Sequence, residues 1–181
     1  MRLGALLTPA DGLNPHHLVE EAKAIEAAGF DSLWSAHAMG RGFMMHDPLT
    51  ALAAAAAVTC RVELGSAILQ LPIYHPTDIA LKVLTLQQIA GGRLLLGAAT
   101  EFDGWIASGM HRSPEECAAA LATYRQAGGG RAVVSTILVT AETDLSALKE
   151  RLQGYQDAGF DDAVVMIYAG GPTLEQVRSL V

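Results

Sequence analysis

The residues to weigh first for chemistry are six histidines, His16, His17, His37, His46, His75 and His111, and three lysines, Lys23, Lys82 and Lys149. No histidine is paired with a carboxylate as in H-E-x-x-H, which sets two imidazoles on one helix face beside a general base, so no metal site is expected. The lysines all fall within helical patterns. A Schiff-base enzyme wants its lysine inside a strand or at the strand's carboxyl end, and aldolase-type chemistry has little support. No serine stands in a G-x-S-x-G elbow, and nothing around Cys60 or Cys117 argues for an activated thiolate.

His37 is the strongest single candidate, and it is taken as the catalytic one. It follows the second expected strand immediately, where a planar donor can reach a ligand held at the strand ends. On this reading His37→Ala shifts stability by no more than about 1 kcal/mol and weakens ligand binding or turnover at least about tenfold. The competing reading has His37 bonded only to neighbouring backbone, fastening the loop that reaches Arg41. Asp47 reads as a helix N-cap because Pro48 follows at the first helical position, and His75 as a packing and capping residue before Pro76. Asp103-Gly104-Trp105, beside Phe102, reads as an aromatic insert: a lid, a flat ligand wall or a dimer contact.

These residues need elements to hold them, and the chain supplies one repeating order: apolar strand, loop with Pro or Asp, helix, Gly, apolar strand. Strands are expected at 3–7, 31–34, 61–69, 93–98, 131–139 and 162–168. Helices start at Asn14-Pro15, Asp47-Pro48, His75-Pro76, Ser113-Pro114, Asp144 and Gly171-Pro172, which makes six βα units. Ala28-Gly29-Phe30-Asp31 recurs as Ala158-Gly159-Phe160-Asp161, each with a glycine placed for a left-handed helix stop. Sorted by strand end, His37, Asp47, Gln70, Tyr74, His75, Thr100 and Thr140 gather at the carboxyl ends, where parallel α/β folds bind ligands. Asp31, Arg61, Arg93, Arg131, Asp161 and Asp162 fall at the other end and read as braces between strand starts. Periodicity alone leaves an open sheet and an incomplete barrel both standing. There is no G-x-G-x-x-G after the first strand and no P-loop.

At 181 residues the chain is shorter than the roughly 250 typical of a complete eight-stranded barrel. With 51% hydrophobic and 17% charged residues it is too apolar for disorder and short of polar surface, so a homodimer is expected. The net charge of -7 disfavours nucleic acid and anionic membranes as partners. Met1-Arg2 runs straight into an apolar strand with no leader pattern, and the expected location is the cytoplasm.

Glu26-Ala27-Ala28-Gly29-Phe30-Asp31-Ser32-Leu33-Trp34 with His37, Asp47-Pro48-Leu49-Thr50-Ala51-Leu52, Arg61-Val62-Glu63-Leu64-Gly65, His75-Pro76 and Gly91-Gly92-Arg93-Leu94-Leu95-Leu96-Gly97 form an ordered series. The series resembles the luciferase-like monooxygenase superfamily, the flavin- and deazaflavin F420-dependent oxidoreductases built on an α/β barrel. That resemblance implies an α/β fold, a shortened or incomplete TIM-type (βα) barrel of about six parallel strands. Residues 1–181 would be a single luciferase-like domain, shortened between Gly97 and Arg131. It implies FMN or F420 as cofactor and a small organic molecule as substrate. His37 would orient the substrate, Ser66, Ala67 and Ile68 would support the isoalloxazine face, and Thr100 and Thr140 would donate hydroxyls. The chain departs from the family at Ala36, where a carboxylate often precedes the histidine, so His37 is expected neutral and near its ordinary pKa. It departs again at Gly97-Ala98-Ala99-Thr100-Glu101-Phe102, and at Ala141-Glu142-Thr143-Asp144, which puts carboxylates where the family holds a cofactor phosphate. The alternative implied is a catalytically degenerate flavin-binding or structural homo-oligomeric relative, the structural form needing no cofactor.

Overall fold

Proline and a polar residue before it set the helix starts. In the computed structural model, which describes residues 1–9, 17–37, 45–98, 104–110 and 112–181, three helices open this way: α2 (Pro48–Val58), α3 (Pro76–Ala90) and α4 (Pro114–Gln126). Asp47 caps α2 by accepting from the Thr50 N–H, and His75 caps α3 by accepting from Thr77. Ser113 and Glu116 form a reciprocal capping box on α4. The remaining helices are α1 (His17–Ala27), α5 (Leu145–Ala158), capped by Asp144, and α6 (Leu174–Arg178), capped by Thr173. Asn14-Pro15 lies outside the described residues.

Seven strands are described: β1 (Arg2–Leu6), β2 (Ser32–Ser35), β3 (Glu63–Leu69), β4 (Leu94–Ala98), β5 (Gly104–Ser108), β6 (Arg131–Val139) and β7 (Asp162–Ile167). The chain divides into two compact units. In the unit Leu7–Thr100 the strands run in parallel in the order β2-β3-β4, with Leu33, Leu64 and Leu94 in register. In the unit Met1–Leu6 with Glu101–Val181 the parallel order is β1-β7-β6-β5. Strands alternating with helices in this manner make the α/β fold of a shortened TIM-type barrel, as expected from the sequence.

The strand beyond the expected six is β5. Its residues Gly-Trp-Ile-Ala-Ser carry too short an apolar run to announce a strand, and pairing with β6 from Gly104↔Arg131 to Ser108↔Ser135 creates it. Trp105 is accordingly packed within its own unit, 5.8 Å from the ring centres of both Tyr124 and Phe160. That aromatic packing gives the half-buried Trp105 a place within its own unit. Phe102 and Asp103 are outside the described residues.

The brace residues do what their position implied. The Glu26 carboxylate accepts three successive backbone N–H groups, from Cys60, Arg61 and Val62, while the Arg61 guanidinium donates back to the carbonyls of Glu26 and Phe30. The Arg93 guanidinium donates to the carbonyls of Ala56, Thr59, Val62 and Ala90, which ties α2 and α3 to the start of β3. In the other unit Arg131 grips the fully buried Asp162 at 2.7 and 2.8 Å, and Arg125 meets Asp161 at 2.7 Å. Gly29 and Gly159 take the left-handed conformation that stops α1 and α5, at φ 85° and 98°. The amino-end polar residues are therefore architecture, and the carboxyl ends are free to carry a site.

Candidate functional site

Strand β2 delivers His37 two residues beyond its last member, still tied to β3 by its N–H, which donates to the Ile68 carbonyl at 3.3 Å. The imidazole is engaged on both sides. Its Nδ1 accepts from the Gln70 N–H at 3.1 Å, and its Nε2 lies 3.0 Å from the Tyr74 hydroxyl. A backbone N–H can only donate, so Nδ1 is the unprotonated nitrogen and the ring proton sits on Nε2, pointing at Tyr74 Oη. Tyr74 in turn donates to Asp47 Oδ2 at 2.7 Å. The other oxygen, Oδ1, holds the Thr50 N–H and hydroxyl at the head of α2.

The cluster is thus a directed chain from Gln70 through His37 and Tyr74 to Asp47. The two rings stack with centres 5.7 Å apart. Lys82 on α3 places Nζ 5.4 Å from the Tyr74 ring centre while paired with Asp78 at 2.8 Å. The His37 side chain is 7% exposed and that of Asp47 41%, so the chain runs from a nearly dry imidazole to a carboxylate in contact with water.

Burial lowers the pKa of His37, and the Asp47 charge, 3.7 Å from Nε2, offsets it only in part. Neutral His37 agrees with the expectation; a pKa near its ordinary value does not, and desolvation is the reason. For Asp47, burial acts upward, yet the bonds from Tyr74 and Thr50 hold its carboxyl below the usual range. Burial, and then the neighbouring carboxylate of Asp47, push the Tyr74 phenol strongly upward, so it stays protonated. The carboxylate partner absent at Ala36 is supplied from elsewhere in the chain, by Asp47. Asp47 both caps α2 and closes the cluster, and only the first role was read from sequence.

Ser66, Ala67 and Ile68 lie on β3 beside His37. Ser66 is buried with its hydroxyl exchanging bonds with the Gly97 backbone of β4 at 3.1 and 3.2 Å, Ala67 is buried, and Ile68 is 42% exposed. Thr140 belongs to the other unit, in the turn after β6, where its N–H donates to the Thr143 hydroxyl at 2.8 Å. Thr100 lies outside the described residues. Thr8, two residues beyond β1, is held to α1 through Glu21 and His17. Two buried polar atoms have no hydrogen-bond partner among the described residues: Ser35 Oγ at the end of β2, and His46 Nε2, in the residue before Asp47.

The sequence places Tyr74 and Gln70 at the correct strand ends but does not join them to His37. Their signal lies in the segment after β3, where Gln70 and Tyr74-His75 flank Leu71-Pro72-Ile73 ahead of the helix-starting Pro76.

Residues 1–102, more than half of the chain, match the family described as luciferase-like monooxygenase, and the chain belongs to that family. A protein of Mycobacterium tuberculosis, inferred to be a coenzyme F420-dependent oxidoreductase, is 36% identical over 109 residues, which are 58% of this chain and 30% of that protein. The 4-hydroxyprotoasukamycin monooxygenase of Streptomyces nodosus subsp. asukaensis is 33% identical over 116 residues, 60% of this chain and 30% of the relative. The match therefore spans under a third of these relatives' length. The coenzyme F420-dependent tetrahydromethanopterin reductase of Methanopyrus kandleri superposes with a TM-score of 0.76 at 13% identity, over 99% of this chain and 96% of its own, a likeness of fold.

Proposed function

We propose that this chain is a flavin- or F420-dependent oxidoreductase acting on a small organic substrate, with His37 as its catalytic residue. The observation that carries the reading is that the His37, Tyr74 and Asp47 cluster, at the carboxyl end of β2, falls wholly within the residues matching the luciferase-like family. The reading takes residues 1–181 as one luciferase-like domain, in a cytoplasmic homodimer. Leu81 and Leu84 of α3, 66% and 65% exposed, favour association. No helix among the described residues is long and apolar enough to cross a membrane.

FMN or F420, when bound, would supply the redox chemistry. The residues fit one end of such a cofactor better than the other. Ile68, half exposed beside His37, offers an apolar wall to a planar ring, with Ala67 behind it. Ser66 would act through the backbone it holds, since its hydroxyl is committed to Gly97. The His37 Nε2–H is the donor a substrate oxygen would receive in place of Tyr74 Oη. The turn before α5 does not fit a phosphate: Asp144 already caps the helix with a carboxylate, and Thr143 takes the Thr140 N–H. Thr140, and Thr100 with it, are kept as hydroxyl donors to the cofactor in this proposal, with the phosphate held by other groups.

That occupied turn favours the second reading, a degenerate relative that binds flavin without turnover or serves as a structural homo-oligomer. Titration of the purified chain with FMN and with F420, followed by absorbance, separates the readings. At about 100 μM a site worth roughly 5.5 kcal/mol is half filled. Binding with turnover supports the enzyme, binding alone the degenerate flavoprotein, and binding of neither overturns both cofactor readings. Sedimentation at low protein concentration tests the homodimer, which a monodisperse monomer overturns.

A further inference from the structure

Tyr74 is a residue that neither the family match nor its relatives' names assign a role, and its hydroxyl sits between the two groups that would otherwise meet. Asp47 Oδ2 is 3.7 Å from His37 Nε2, close enough for a direct ion pair, yet the phenol is closer to both, at 2.7 Å and 3.0 Å. We propose that Tyr74 is a positioning residue that stands between Asp47 and His37, and that it holds the imidazole as the neutral Nε2–H tautomer by accepting that proton while spending its own on the carboxylate.

The geometry allows one proton arrangement. The Gln70 N–H fixes Nδ1 as an acceptor, which puts the ring proton on Nε2, and the Tyr74 oxygen accepts it. The phenol proton then points to Asp47 Oδ2. Adding a proton to His37 would set an Nδ1–H against the Gln70 N–H, donor against donor, so the ring cannot charge without losing that bond. Among the described residues, the charged groups around the cluster are Asp47 from the head of α2, and Asp78 and Lys82 from α3, which pair with each other beside the Tyr74 ring. Asp47 is thus the one of the three charges in hydrogen-bonded contact with Tyr74, and Tyr74 satisfies it from the side that would otherwise turn to His37. The stack of the two rings, at 29° between planes, keeps the phenol in this place.

The consequence is opposite to the ordinary effect of losing a hydrogen bond to a neutral group. Without the hydroxyl, Asp47 loses a donor and His37 loses an acceptor, and the two can close on each other as an ion pair. Tyr74→Phe is therefore expected to raise the His37 pKa by about one unit or more, a tenfold rise in the charged fraction relative to the neutral one. Asp47→Asn, which keeps a helix-capping side chain, is expected to leave the ring neutral with the same tautomer and to lower its pKa further. In the double variant the rise should vanish.

This proposal rests on the reading of His37 as the site residue only for its catalytic meaning. It is tested on the ligand-free full chain by long-range 1H–15N NMR of the histidine rings over a pH series, so its failure is separate from that of the cofactor titration. The expected spectrum of the unsubstituted chain at pH 7 has a protonated Nε2 and an unprotonated Nδ1 for His37. A charged ring, or a proton on Nδ1, overturns the proposal. So does an unchanged His37 pKa in Tyr74→Phe, or a rise that persists in the double variant. The tautomer of the unsubstituted chain and the fall in Asp47→Asn decide the matter if Tyr74→Phe does not fold.

Discussion

At His37 both ring nitrogens already have partners, from Gln70 and Tyr74, and the side chain is almost wholly covered. Removing the ring leaves the Gln70 N–H without its acceptor and the Tyr74 hydroxyl bonded to Asp47 alone, and it opens a cavity between β2 and the segment after β3. His37→Ala is therefore expected to cost about 2–3 kcal/mol, above the limit of about 1 kcal/mol that a lone surface histidine would set. For a chain of this size that lowers the midpoint of thermal unfolding by about 4–12 °C. A calorimetric or spectroscopic melt checks it, and a loss below about 1 kcal/mol would mean that the cluster adds nothing to the fold. The residue type was legible in the sequence and its partners were not, because Asp47 and Tyr74 stand 27 residues apart and His37 stands 37 residues from Tyr74. No local pattern links positions that only strand pairing brings together.

Among the elements, the helix starts could be read directly because capping is local: Asp47-Pro48, His75-Pro76 and Ser113-Pro114 each hold donor, acceptor and fixed φ within four residues. Strand β5 could not, since its five residues owe their conformation to β6. Strand β3 carries a constraint of the same non-local kind at Gly65, directly beside Trp34 of β2 in the parallel register. A methyl group there would come within 2.3 Å of the Trp34 ring, while the indole is locked in place by burial and by its N–H bond to Ser32 at 2.8 Å. Gly65→Ala should destabilise the Leu7–Thr100 unit by about 1–3 kcal/mol, the ordinary toll of overpacking, with a shift in Trp34 fluorescence as the indole is displaced. Unchanged stability with an unshifted emission would show that the ring has room to move.

On the scale of the whole molecule, both units are braced at their strand starts by a carboxylate on backbone N–H groups, and the two braces respond alike to acid. Burial acts to raise the pKa of Glu26, but the three N–H bonds and Arg61 outweigh it and leave the group below the usual carboxylate range. Asp161 is likewise lowered against its burial, by the Ala132 N–H and by Arg125. A carboxylate with a depressed folded pKa stabilises fully above its unfolded value, about 4.3 for Glu and 3.9 for Asp, and that contribution disappears as pH falls through the folded pKa. The contribution of the two braces should thus be level from neutral pH down to about 5 and fall below it, while His37, whose pKa the fold lowers, adds a loss that begins as pH falls below about 6.5. Glu26 carries the larger share, since the Asp161 side chain is 45% exposed and its pairing is screened by solvent. Glu26→Gln keeps the shape but loses the charge and one acceptor, so it should lower stability at pH 7 by about 1–3 kcal/mol and flatten the fall on acidification. Urea unfolding of both proteins from pH 7 to about 3 reads the difference. Two curves that run parallel across that window would place the acid sensitivity outside the Glu26 brace.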